Sequence, residues 1–401
     1  MKYSHLISFV LLLFIASCAS DADEILDPND STVDGNDNTD ESPRVLFNGQ
    51  VNLDLLENYS NQSIPDYIDE DNTGANVISD IEATIGRVLF YDRNLSSDRT
   101  VSCASCHQQA FAFGDRAIQS QGVNGATARH SMRLVNARFS EESRFFWDER
   151  ARSLEEQTTM PIRDHGEMGF SGTNGDPDFD DLLNRLSEID YYQVLFAEAY
   201  GDSNITEDRM QDALAQFIRS MKSFDSKYDI GRAMVNNNNQ NFSNFTNSEN
   251  TGKQLFMQPP QFQGQSGERI GGGLGCNGCH AAPEFGIDNN SRNNGVIGTI
   301  GAPDFDLNVT RAPSLRDIFN PNGSINTPLM HTGEFSTMEG VIAHYNEIRR
   351  VPGNNNLDQR LARGGGVHLN MTQDEIESLI AFLKTLTGDN IYTDSKWSSP
   401  F

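Results

Sequence analysis

Four of the five cysteines in this 401-residue chain fall in two copies of one pattern, Cys103-Ala-Ser-Cys106-His107 and Cys276-Asn-Gly-Cys279-His280. In a Cys-x-x-Cys-His segment two thiols add to the vinyl groups of a haem and the adjacent histidine takes the proximal side of the iron. One copy reads equally well as a zinc half-site or a redox dithiol. Two copies that use every cysteine except Cys18 point to two covalently bound c-type haems. A zinc site would need further Cys or His pairs at ligand spacing, and the sequence has none.

The first apolar run, Leu6 to Ala16, follows Lys2 and is too short to span a bilayer as a helix. It reads as an export signal. It ends in Ile15-Ala16-Ser17-Cys18, small residues before a cysteine, as in bacterial lipoprotein signals whose cysteine is lipidated and becomes the mature N-terminus. From Ala19 to Pro43 the chain carries nine acids, no bases and no aromatic residue, a composition too polar to bury a core. The expected division is therefore a signal peptide at 1–17, an acidic tether at 18–44, a first haem domain at 45–235 and a second at 236–401. The expected location is the periplasm or cell surface, with the chain held to the membrane by a lipid on Cys18. The formal net charge is −27, with no cluster of Lys and Arg, which excludes a nucleic-acid binder and suits a basic protein partner.

The two motifs share a context. Gly86-Arg-Val-Leu89-Phe90 precedes the first and Gly252-Lys-Gln-Leu255-Phe256 the second. Polar Gly-, Gln- and Asn-rich stretches near 236–250 and 258–275 read as a linker and a loop leading into the second module. Apolar spacings of three and four predict helices over 181–200 and 206–224, and Thr372-Gln-Asp-Glu375 is a capping box before a helix at 376–386. With no run of alternating strands, the predicted fold is mainly α: two cytochrome c-like haem domains with long loops.

Between about Ile78 and Gly388 the chain resembles the bacterial dihaem cytochrome c peroxidase family, which includes the dihaem enzyme that matures methylamine dehydrogenase. The landmarks are Leu95–Ser102, Phe146-Trp147-Asp148, Glu156-Gln157, Pro161, Glu167-Met168, Pro328–Gly333 and Ala381–Gly388. The resemblance implies that the haem at His107 is the peroxidatic one, open on its other face to hydrogen peroxide. A distal glutamine and glutamate ten residues apart match Gln157 and Glu167. A carboxylate at that place takes a proton from peroxide and returns it to the leaving hydroxyl, and an amide orients the substrate. His165 is read as structural, with a distal base as its alternative. Trp147 matches the tryptophan that the family places between its haems as an electron path. The family also holds calcium between its domains. Asn326 and Pro328 match two carbonyl positions, but His130 stands where an asparagine ligand is usual, and imidazole is a poor ligand for so hard a cation.

Two departures bear on mechanism. Many members carry a histidine between the first motif and the Arg129-His130-Ser131 segment that plugs the peroxidatic iron until the other haem is reduced. Here 117–128 has no histidine, and Gly122 occupies its position. The expectation is an iron open without reductive activation. At the second haem, with His280 proximal, the usual distal methionine lies fourteen residues beyond the histidine matched by His331, which gives Tyr345. The maturation enzyme has tyrosine there. A phenolate is a harder ligand than a thioether and favours Fe(III). Met338 and His344 are the rival ligands.

The first expected function is an exported peroxidase reducing hydrogen peroxide to water, with electrons from a small cytochrome c or copper protein entering by the second haem. The alternatives are oxidation of a partner protein through a high-valent state shared by both haems, and a non-enzymatic dihaem carrier. A homodimer is compatible with the sequence and not specified by it.

Overall fold

In both copies of the repeated segment, a glycine makes room for two helices to cross. The computed structural model describes residues 44–401 except 142–143 and 288–290, so the expected signal, Cys18 and nearly all of the tether lie outside the described residues. Among those described, eleven α-helices run α1 (Asp80–Tyr91), α2 (Cys103–Cys106), α3 (Leu154–Arg163), α4 (Phe179–Ser187), α5 (Asp190–Tyr200), α6 (Glu207–Ser220), α7 (Lys227–Arg232), α8 (Asn247–Met257), α9 (Met338–Asn346), α10 (Gln373–Lys384) and α11 (Asn390–Thr393). Helix α1 packs on α6, and α8 on α10. A Cβ on Gly86 would lie 2.0 Å from the Ala213 carbonyl oxygen, and one on Gly252 would lie 1.8 Å from that of Ser378. Each glycine lets two backbones touch. The next residue is a buried cation held by backbone carbonyls: Arg87 donates to Ser395 and Ser398, and Lys253 to Asn238 and Gln240. Phe90 and Phe256, four residues on, are both 1% exposed.

Two main hydrophobic cores result, with a small third cluster of Ile348, Leu357 and Val367. One gathers residues from Leu46 to Met221, and the other residues from Tyr228 to Leu386. The C-terminal tail returns to the first, where Ile391 and Trp397 are buried and the Trp397 indole donates to Ser220 Oγ at 3.1 Å. The strands are few and short, forming four antiparallel pairs: β1 (Val45–Leu46) with β2 (Val51–Asn52), β3 (Pro260–Phe262) with β4 (Arg269–Gly272), β5 (His280–Ala281) with β6 (Gly286–Ile287), and β7 (Gly298–Thr299) with β8 (Ala302–Phe305). The mainly helical reading stands.

Details differ from the sequence reading. The periodic run 181–200 is two helices, because Ile189 is extended between α4 and α5, a break that apolar spacing does not register. Helix α6 stops at Ser220, where Met221 turns out and its carbonyl accepts from Asn136 N. The polar stretch 258–275 contains the β3–β4 hairpin. The Thr372 box forms as expected, with Thr372 and Glu375 capping each other's backbone N–H.

Gly252→Ala is expected to lower stability by about 1–3 kcal/mol, the usual cost of overpacking, exceeding the roughly 1 kcal/mol that alanine gains over glycine in a helix. Thermal unfolding of the variant against wild type measures it.

Candidate active site

Helix α2 is a single turn that carries both thiols of the first motif, with Ser102 as its N-cap and the Ser105 hydroxyl returned to Ser102 N at 3.0 Å. Burial pushes the Cys103 thiol up to about 12 and that of Cys106 up to about 11. The His107 ring points Nδ1 at the Phe113 carbonyl, 3.0 Å away, so that nitrogen donates and Nε2 is left to bind a metal. The second motif repeats the arrangement. His280 Nδ1 donates to the Pro313 carbonyl at 3.1 Å, with burial pulling the ring down to about 4. Phe113 and Phe285, each followed by glycine, both take positive φ (58° and 55°) and are fully buried. These matching Phe-Gly pairs extend the internal repeat beyond the segments noted in the sequence.

Glu167 sits on the turn that follows α3. Asp164 Oδ1 accepts from the N–H groups of Gly166 and Glu167, and the Met168 carbonyl accepts from Ser97 N, which ties this turn to the segment leading into the first motif. The Glu167 carboxylate is close enough to act electrostatically on both Cys103 and Cys106. Burial, reinforced by Asp164 and opposed by Arg150, pushes it up to about 7. Gln157 lies half-buried within α3. His165 turns the other way, its Nδ1 2.7 Å from Asp176 Oδ2 on an exposed surface. Gly122 lies in a tight turn whose neighbours pair with the Glu167 turn: Val123 N donates to Glu167 O at 2.9 Å and Asn124 N to Gly166 O at 3.2 Å. A Cβ at Gly122 would fall 2.1 Å from the Gly166 carbonyl oxygen. No side chain fits there with the two turns in this arrangement.

Around the second motif is a cavity of about 870 Å³ whose walls include Cys276, Cys279, His280, Met338 and Tyr345. That volume is in the range of cofactor pockets, about 300–1,000 Å³, and the thiols with a Nδ1-anchored histidine fit a covalently held haem. The Tyr345 hydroxyl accepts from Asn294 Nδ2 at 3.0 Å, and burial raises the phenol above its ordinary value. His344 is turned away, its Nε2 3.0 Å from the Asn294 carbonyl. One asparagine thus fixes both neighbours, a role hidden in a polar loop sequence. Met338 is 3% exposed on the same cavity.

Trp147 joins the two halves of the chain. Its indole donates to the His130 carbonyl at 2.7 Å, its ring meets His331 edge-on at 6.1 Å, and its own carbonyl accepts from Thr310 and Arg311. It lines the second cavity. At the expected calcium position, His130 Nδ1 faces the Ala117 and Ile118 carbonyls, and the Asn326 amide donates to the Asp317 carbonyl and the Tyr392 hydroxyl. Pro328 lines the cavity.

The whole defines a mainly helical protein with two Cys-x-x-Cys-His segments, each holding its histidine through Nδ1 to a backbone carbonyl. The family profile described as di-haem cytochrome c peroxidase matches residues 81–238. The methylamine utilization protein MauG of Methylophilus methylotrophus is 28% identical over 324 residues, covering 77% of this chain and 82% of its own length. The cytochrome c551 peroxidase of Nitrosomonas europaea is 26% identical over 328 residues, covering 77% and 80%. Among solved structures, a MauG-like protein associated with microbial copper homeostasis superposes with a TM-score of 0.65 at 27% identity, over 85% of this chain and 99% of that one. Residues 81–238 thus carry the di-haem cytochrome c peroxidase profile, and about three quarters of the chain is similar to proteins of that kind.

Because each motif brings its own thiols and histidine, replacing Cys276 and Cys279 together by alanine is expected to leave one covalent haem of two. Haem content per chain after acid–acetone extraction of denatured protein reads this out.

Proposed function

We propose that this chain is an exported dihaem peroxidase that reduces hydrogen peroxide to water at the haem of His107, with Glu167 as its acid–base catalyst. The observation that carries this reading is the half-buried Glu167 carboxyl beside the first motif, pushed up to about 7. A group so poised both accepts and gives a proton at neutral pH. The haem supplies the iron that binds peroxide and takes up electrons. The balance is one peroxide, two protons and two electrons to two waters. Glu167 would take a proton from the peroxide and return it to the leaving hydroxyl. Asp164 holds the turn that presents Glu167, and Gln157 offers its amide to the substrate. Gly122, lacking a side chain, keeps the approach free of the histidine plug, which supports reaction without prior reduction.

Electrons would arrive at the His280 haem from a small cytochrome c or a copper protein and cross by Trp147. The acidic chain, with net charge −27, suits a basic donor. Haem domains at 45–235 and 236–401 and a lipid anchor on Cys18 in the periplasm or at the cell surface belong to the same proposal.

Tyr345 favours a second reading. Its phenol is in the second cavity where the resemblance put a ligand, and a phenolate there would disfavour Fe(II). That ligand set suits an enzyme that turns peroxide's oxidising power on residues of a partner protein better than a simple electron inlet.

Glu167→Gln is expected to lower peroxide turnover by about 10² to 10⁴. Wild-type activity should rise with pH through about 7 as the carboxyl loses its proton, and the variant should lose this limb. Steady-state peroxide reduction from pH 5 to 9 checks both. Tyr345→Phe is expected to change the spin state of the second haem in electron paramagnetic resonance, and an unchanged spectrum would give the ligand role to Met338.

A further inference from the structure

A half-buried arginine, its Nε enclosed, lies between the two haem-binding histidines. Arg133 lies with its stem against the backbone after the first motif, where a Cβ on Gly114 would be 2.9 Å from Arg133 Cγ. Gly114 follows Phe113, the acceptor for His107 Nδ1, and Met132, next to Arg133, is a second backbone acceptor for the same ring. At its other end Arg133 Nη2 donates to the Ser314 carbonyl at 2.8 Å. Ser314 follows Pro313, the acceptor for His280 Nδ1, and the Arg133 charge acts directly on His280. One side chain therefore reaches the supporting backbone of both histidines.

Among the described residues its hydrogen bonds go to the Ser314 carbonyl and the Thr327 hydroxyl rather than to a carboxylate, and its Nε has no hydrogen-bond partner. Asp317 acts on it from a distance, its Oδ1 already engaged by Gly388 N and the Tyr392 hydroxyl. An arginine does not shed its proton, so the charge remains and is little screened at this depth. Its Nη1 lies 3.5 Å from Thr327 Oγ1, between Asn326 and Pro328, the two residues expected to hold calcium. Nothing in the Cys-x-x-Cys-His pattern points to this residue.

We propose that Arg133 is a built-in cation shared by the two haem sites, supplying between them the positive charge that a bound metal ion would otherwise provide. A fixed positive charge against the backbone that holds both histidines would oppose Fe(III) more than Fe(II) in haems bound there and so raise both reduction potentials. Arg133 is in this sense a positioning residue, acting through charge and through the backbone that orients the two imidazoles. The inference rests on the dihaem reading.

The test is a spectroelectrochemical titration of both haems in the full holoprotein, as wild type, Arg133→Gln and Arg133→Lys, each with and without a calcium chelator. Covalent haem content of wild type is measured first; fewer than two haems would end the dihaem reading itself, separately from the role of Arg133. Arg133→Gln is expected to lower the Fe(II)/Fe(III) ratio at fixed potential about tenfold at both haems, or about 59 mV for a one-electron couple. Arg133→Lys should hold both potentials near wild type, and the chelator should move neither. A shift confined to one haem would assign the cation to that haem alone and overturn the shared role. So would potentials that are unchanged in Arg133→Gln, or that move in wild type on chelation. If Arg133→Gln does not accumulate, Arg133→Lys still decides: loss of either potential with the charge retained would refute the electrostatic role.

Discussion

Everything in this protein that bears on chemistry hangs on two hydrogen bonds, from His107 Nδ1 to Phe113 O and from His280 Nδ1 to Pro313 O. A histidine adjacent to a Cys-x-x-Cys pair has its place along the chain fixed by the thiols, but not its ring orientation or tautomer. A carbonyl acceptor at Nδ1 fixes both and turns Nε2 toward the site where iron would be held. Each ring has one local and one distant backbone partner: Phe113 and Met132 at His107, Phe285 and Pro313 at His280. A local turn and tertiary packing thus act together at both motifs.

The two sites are then set apart by what faces them. The Glu167 and Gly122 turns meet through backbone contacts that hold a carboxyl near the first motif, where burial pushes it up to about 7 so that both protonation states are populated near neutral pH. Tyr345 and Met338 face the second motif from α9, and Asn294 spends its carbonyl on His344 and its amide on Tyr345. A proton-handling group thus faces the first motif, and a phenol and a thioether face the second. Trp147 and Arg133 run between them, one with a π-system and one with a charge.

The duplicated architecture has a simple origin in packing. Gly86 and Gly252 each bring a helix into backbone contact with a partner from much later in the sequence, α6 and α10. The cation that follows each glycine is buried and satisfied by carbonyls, so neither half needs a carboxylate for it. Such close crossings leave the intervening loops to build the cofactor walls, which explains how a mainly helical chain has so much functional surface outside its helices.

The sequence alone determined what is local or repeated. The two Cys-x-x-Cys-His motifs, the Gly-x-x-Leu-Phe repeat, the capping box at Thr372 and the absence of long strands were legible because each is a matter of residue type at short spacing. The resemblance added Glu167, Gln157, Trp147 and Tyr345 as candidates, and placed Gly122 where a plug would stand. What it did not reveal were contacts between distant segments. The break at Ile189, the return of the tail to the first core, the choice between His165 and Glu167, the hold of Asn294 on two neighbours and the position of Arg133 all depend on which backbone carbonyl or apolar wall arrives from elsewhere. A side chain's type is written in the sequence, but its direction, burial and partners are fixed only when the chain closes on itself, because desolvation and hydrogen-bond satisfaction are properties of the packed interior.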